Sequence, residues 1–167
     1  GPVRVAPTGL RLSTASVVDD AAVVRIQTTI VNDEPTPQEV TVTSAVTGPS
    51  GSALATVTTT LTVAAKSTEA VEQTAEVSDA PLWSPETPQL TTVEVALAVG
   101  GAVVDRAVEE FGIRTVTADA RHGLRINGTT VKMRGAAIHH DNGVIGANTL
   151  DAAEDRRIRL LKASGFN

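Results

Sequence analysis

Residues 3–114 predict a mainly β fold, an antiparallel β-sandwich of the immunoglobulin type. Three observations carry that prediction. Apolar and polar residues alternate with period two in run after run. Gly, Pro, Asn and Asp cluster between the runs, as turns require. No helical periodicity interrupts them, and the runs add up to about seven short strands. A four- or five-stranded open barrel is the competing architecture.

The elements follow in order. Within 16–32, Val24, Ile26, Thr28 and Ile30 share one face, and Arg25, Gln27 and Thr29 the other. Asn32-Asp33-Glu34-Pro35-Thr36-Pro37 ends that strand. Val40, Val42 and Val46 alternate with Thr41 and Thr43 until Gly48-Pro49-Ser50-Gly51. Residues 53–64 are rich in Thr and Val, which favour a pleated surface. In 69–77, Val71, Ala75 and Val77 point inward, and Glu72, Thr74 and Glu76 outward. Three prolines make 81–88 irregular, and Trp83 is expected to pack this loop onto the sandwich. In 90–99, Val93, Val95, Leu97 and Val99 share a face, Gly100-Gly101 forms a tight turn, and 102–114 returns as the last strand.

Residues 115–167 change character and form a second unit. Residues 123–135 read as a hairpin in which Val131 and Met133 answer Leu124 and Ile126 across Asn127-Gly128. Asn127-Gly128-Thr129 also fits the N-x-Ser/Thr glycosylation pattern, but the hairpin reading is preferred. A polar loop, 136–149, leads to a helix. Asp151 and Glu154 suggest a capping box, and Ile158, Leu160 and Leu161 form an apolar stripe. Gly165 is placed to stop the helix in a left-handed turn.

Composition narrows the function. The net charge of −5 divides into −8 over 1–114 and +3 over 115–167, a step that marks a candidate boundary. The acidic first part is a poor match for nucleic acid. Trp83, Phe111 and Phe166 are the only aromatic residues, too few for a stacking platform. There is no cysteine, hence no disulfide, thiolate ligand or cysteine nucleophile. No apolar run is long enough for a membrane-spanning helix. Asp19-Asp20 and Glu109-Glu110 are adjacent acids, and neighbours on a strand point to opposite faces, so neither pair converges on one bond. His139-His140-Asp141 lacks a third ligand at metal-site spacing, and no metal or other cofactor is expected.

One ordered set of motifs goes further. Leu82-Trp83-Ser84-Pro85-Glu86-Thr87-Pro88, Phe111-Gly112-Ile113-Arg114, Asn127-Gly128, Arg134-Gly135, His139-His140-Asp141 and Gly165-Phe166-Asn167 follow one another after a strand-rich module. In this order they resemble glycoside hydrolase family 2, which includes β-galactosidases, β-glucuronidases and β-mannosidases. The resemblance implies an immunoglobulin-like domain at 3–114. It implies that 115–167, a hairpin and one helix, are the truncated opening of a (β/α)8 catalytic barrel, which takes about 250 residues in full. It implies partners within one parent chain, a jelly-roll domain before the sandwich and the rest of the barrel after it. The parent enzyme would hydrolyse β-glycosides with retention. Both catalytic glutamates would lie on later barrel strands, so this chain alone is expected to be inactive.

By the same resemblance, His139 lines the sugar subsite of the parent enzyme, and His140 and Asp141 extend its rim. Ala137 stands where many members carry Asn. Arg134 is expected to pair with a neighbouring strand or acid. Leu124, Ile126, Val131, Met133, Ile138, Ile158 and Leu161 would face barrel neighbours. In the chain alone this tail should lie against the sandwich, self-associate with a second copy, or move. The alternative function is a free-standing immunoglobulin-like binding or adhesion module. Few aromatics and no ligand cluster within 1–114 weigh against it.

Overall fold

A computed structural model of the chain describes residues 1–139 and 142–167. Two antiparallel sheets face each other. One has the order β1 (Val3–Val18), β2 (Ala21–Asn32), β5 (Ser67–Val77). The other runs β4 (Ala53–Val63), β3 (Gln38–Thr47), β6 (Thr91–Val99), β7 (Ala102–Phe111). The chain changes sheet between β2 and β3, between β4 and β5, and between β5 and β6. This is the expected immunoglobulin-like sandwich.

Alternation explains the core. Val24, Ile26 and Ile30 of β2 meet Val40, Val42 and Val46 of β3 and Val93, Val95 and Leu97 of β6, all buried. These side chains are aliphatic and mostly β-branched, which suits close packing between pleated sheets. Each contributes roughly 1.5–3 kcal/mol of apolar burial. Ile113, just past β7, is fully buried as well.

Polar groups enter the core only with partners arranged for them. Gln73 of β5 is 4% exposed. Its Oε1 accepts a bond from the Ser44 hydroxyl at 2.6 Å, and its Nε2 donates to the Val42 carbonyl and to Thr59 Oγ1, each at 3.1 Å. One amide thus ties the two sheets together. Buried Asn32 plays a similar part at the end of β2. Its Nδ2 donates to the carbonyls of Thr36, Val63 and Ala64, while its Oδ1 accepts from the Glu34 amide.

Strand β1 departs from the sequence reading, which began its first strand at residue 16. The chain is already in strand conformation from Val3, and Asp19-Asp20 makes the turn into β2 with φ of 46° and 65°. A bulge between Val5 and Leu10, with Thr8 at φ 56°, breaks the alternation that would have betrayed the strand. The adjacent acids Asp19 and Asp20 therefore lie in an exposed turn rather than on a strand.

Beyond the sandwich, β8 (Val116–Asp119), β9 (Gly123–Ile126) and β10 (Thr129–Thr130) form a small sheet of order β10-β9-β8. The hairpin turn falls at Asn127-Gly128, with φ of 49° and 75°. Strand β8 was not foreseen. Helix α1 spans Asp151–Ala163, and Gly165 follows it at φ 90°, as expected. The expected capping box does not form. Leu150 occupies the N-cap without a side-chain bond, Asp151 is already helical, and Glu154 is drawn to Asn142 and Arg157 instead.

Candidate functional site

Two features of the second unit bear on function: how it is held to the sandwich, and the groove it encloses. The holding contacts centre on Trp83. The Trp83 amide donates to the Ile113 carbonyl at 2.9 Å, and Leu82 forms a parallel bridge with Ile113. The indole packs closely on Gly112, where an added Cβ would stand 2.9 Å from ring atoms Cγ and Cδ1. The Arg114 guanidinium sits 4.5 Å from the ring centroid on a cation–π contact. The Trp83 carbonyl accepts a bond from Asn127 Nδ2 at 2.9 Å. Asn127 Oδ1 in turn accepts from the Thr115 amide at 3.0 Å, and the Asn127 amide donates to the Thr115 carbonyl at 3.0 Å. Trp83 thus packs its loop, as its setting between prolines suggests. Asn127 does more than make a turn, and sequence reasoning missed this. A turn alone is served as well by Gly-Gly, as at Gly100-Gly101, so a carboxamide at this position was the available signal.

The groove has a volume of about 510 Å³ and runs between the small sheet and α1. Leu124, Ile126, Val131, Met133, Ile138, Ile158 and Leu161 all line it. Each had been expected to face barrel neighbours, and the structure gathers them on one surface. Trp83, Pro85 and Pro88 close one end, and Phe166 joins the lining. After α1 the chain returns beside the segment that precedes it. The Asn167 amide donates to the Arg134 carbonyl at 3.2 Å, and the Arg134 amide donates to Asn167 Oδ1 at 2.8 Å. Asn167 Nδ2 reaches the Lys132 carbonyl at 3.1 Å. The segment before the helix, the helix and the returning chain thus lie side by side. Arg134 bonds Asn167 through its backbone, and these bonds involve neither a strand nor an acid.

Of the three candidate sugar-subsite residues, His139 is exposed in the loop before α1. Its carbonyl accepts a bond from Arg157 Nη1 at 3.4 Å. Arg157 also bonds Glu154 Oε2 at 3.3 Å and Asn142 Oδ1, so this loop is tied to the first turns of the helix. His140 and Asp141 lie outside the described residues. Among the described residues no group of three His, Asp or Glu side chains could hold a metal ion.

The remaining charge networks hold structure together. The Asp119 carboxylate lies below the ordinary carboxylate range, chiefly because the His122 backbone N–H bonds to it; the Arg121 N–H, the His122 ring and Arg125 add to the effect. Asp33 is lowered in the same direction, mainly by its bond from Arg4. Both acids are at the surface, Asp33 just after β2 of the sandwich and Asp119 at the end of β8.

Comparison with known proteins agrees with these features. The sequence model of the family described as glycosyl hydrolases family 2 matches residues 10–114. Beta-galactosidase BoGH2A of Bacteroides ovatus is 33% identical over 167 residues, which is 100% of this chain and 20% of that protein. The solved structure of a glycosyl hydrolase family 2 member from Bacteroides cellulosilyticus superposes with a TM-score of 0.93 at 32% identity, over 99% of this chain and 23% of that one. A Bacteroides uniformis beta-glucuronidase superposes with a TM-score of 0.85 at 28% identity, over 99% of this chain and 21% of its own. The chain spans about a fifth of the length of these relatives.

Proposed function

Because the chain belongs to glycosyl hydrolases family 2, we propose that it is the central part of a retaining β-glycosidase acting on β-galactosides or β-glucuronides. Residues 3–114 form its immunoglobulin-like domain, and 115–167 open its catalytic barrel. The groove supports this reading more than any other observation. Its apolar side chains converge between an extended segment and a helix, and the chain then returns at Asn167 to pair with Lys132 and Arg134. A barrel covers such a groove with its next strands and helices.

The sandwich then acts as a spacer that sets a preceding jelly-roll domain against the barrel. His139 stands in the loop before α1, and on the barrel reading that loop is at the end of a barrel where sites are built, with His140 and Asp141 following it in sequence. They contact the sugar and leave bond breaking to two carboxyl groups elsewhere in the parent chain. Retention requires those groups about 5–5.5 Å apart. The adjacent acids here do not supply such a pair. Asp19-Asp20 lies in a turn, and Glu109 and Glu110 are exposed neighbours on β7. The 167-residue chain is therefore inactive by itself.

The test is hydrolysis of nitrophenyl β-galactoside and β-glucuronide by the full-length enzyme and by the 167-residue chain. The proposal expects turnover, with retained anomeric configuration by NMR, in the first and none in the second. Turnover by the short chain, or an inverted product, overturns it. A full-length protein that binds a partner but cleaves no glycoside would instead favour an adhesion module.

A further inference from the structure

The contact between the sandwich and residues 115–167 runs through the loop of residues 83–88 rather than through the faces of the sandwich strands. Units joined this way move against each other by default unless something specific fixes them. The specific element here is one side chain. Asn127 adopts the left-handed conformation, at φ 49°, which Asn and Gly tolerate. Gly would make the same turn. What Gly lacks is a side chain that donates and accepts at once, and Asn127 uses both functions. Its Nδ2 holds the Trp83 carbonyl of the sandwich loop at 2.9 Å, and its Oδ1 holds the Thr115 amide at 3.0 Å. Asp offers no donor for the first bond. Trp83 is itself anchored to the sandwich through its amide to Ile113, its ring against Gly112 and Arg114 over that ring. The Arg114 amide bonds Thr14 Oγ1 of β1 at 3.1 Å, so the anchor extends into the other sheet.

We propose that Asn127 is a positioning residue that locks residues 115–167 onto the sandwich in one orientation: its Nδ2 reaches across to Trp83, while its Oδ1, held by Thr115 of its own unit, fixes the carboxamide for that bond. In the complete enzyme it sets where the His139 loop stands relative to the sandwich. That consequence alone rests on the barrel reading; the lock does not. Glycan attachment at Asn127 is incompatible with this arrangement, since Nδ2 is half-buried and already engaged.

The chain contains no cysteine, so two engineered thiols can be spin-labelled without background. Thr56→Cys on β4 and Thr117→Cys on β8 place one label on each unit, both at exposed positions. Pulsed EPR should give one narrow distance. Asn127→Gly keeps the turn and removes the lock, so the distribution should broaden about twofold or acquire a second maximum. The urea midpoint of the sandwich should not move. Asn127→Asp, which keeps the acceptor for Thr115 but sets a carboxylate oxygen against the Trp83 carbonyl, should broaden it as well. Should Asn127→Gly fail to fold, Gly112→Ala tests the lock from the other side, by driving a methyl into the Trp83 ring. A distribution that stays narrow in both Asn127 variants, or is already broad in the parent, overturns the proposal. Failure of the full-length protein to cleave glycosides would refute the functional reading and leave the distance result intact.

Discussion

The two parts of the chain solve the burial problem differently. Every buried apolar side chain from Val3 to Ile113 belongs to the sandwich or to the residues that close it, and none beyond Ile113 is buried among the described residues. In 115–167, Met133 is 74% exposed, Leu160 53% and Ile158 47%. Both stretches show good apolar periodicity. The difference lies in whether the opposite wall is present. A sheet whose partner sheet follows in the same stretch of chain closes its own core. The small sheet and α1 have no such partner among the described residues and leave their apolar side chains on an open groove.

Substitutions should separate the two parts, and the largest effect falls in the sandwich. Leu97→Ala removes a fully buried side chain and should cost about 2–5 kcal/mol in urea unfolding. Ile158→Ala, on the groove, should change the same transition by no more than about 0.5 kcal/mol. Equal costs would erase the contrast. Next comes the polar tie between the sheets. Gln73→Ala strands the Ser44 hydroxyl and opens a void, and should cost about 1–3 kcal/mol. A neutral result would mean that the tie contributes only specificity.

A smaller effect concerns the groove surface. Met133→Ser should reduce binding of an apolar dye such as ANS while leaving the unfolding midpoint in place, because the side chain lines an open apolar surface. The smallest effect is in acid. Asp33 on the sandwich and Asp119 in the second unit both have lowered folded-state values. The stability each contributes is complete above the ordinary carboxylate pKa, about 4. It is lost as pH falls through the lower folded value. Both groups are solvent-exposed, so the effect should be slight. Asp33→Asn should flatten the acid limb of sandwich unfolding, and Asp119→Asn should leave that limb unchanged.

Much of this contrast is legible in the residues. Period-two alternation locates β2, β3, β5 and β6 because one face of each strand is buried and the other is wet, whereas β4 is located by its Thr and Val content and β7 by the Gly100-Gly101 turn before it. It fails at β1, where Pro7, Gly9 and the bulge shift the register partway along the strand. It also passes over Gln73, which sits on the inward face but is polar, because alternation cannot reveal a hydrogen-bonded core amide. Strand β8 is short and exposed throughout, and so carries no pattern. Leu124, Ile126, Val131, Met133, Ile138, Ile158 and Leu161 of the groove are identifiable from spacing and motif order, whereas Trp83, Pro85, Pro88 and Phe166 join it only through the fold. The role of Asn127 is not identifiable either, since its partners Trp83 and Thr115 come together only in the folded chain.

Amide hydrogen exchange, compared between the 167-residue chain and the full-length enzyme, tests most directly whether the groove is a core awaiting its other half. In the short chain, β2, β3, β5 and β6 should be strongly protected, while 131–135 and 151–166 exchange quickly. In the full-length enzyme those two segments should rise to the protection of the sandwich strands. Slow exchange there in the short chain, or fast exchange in the full-length protein, would contradict the account.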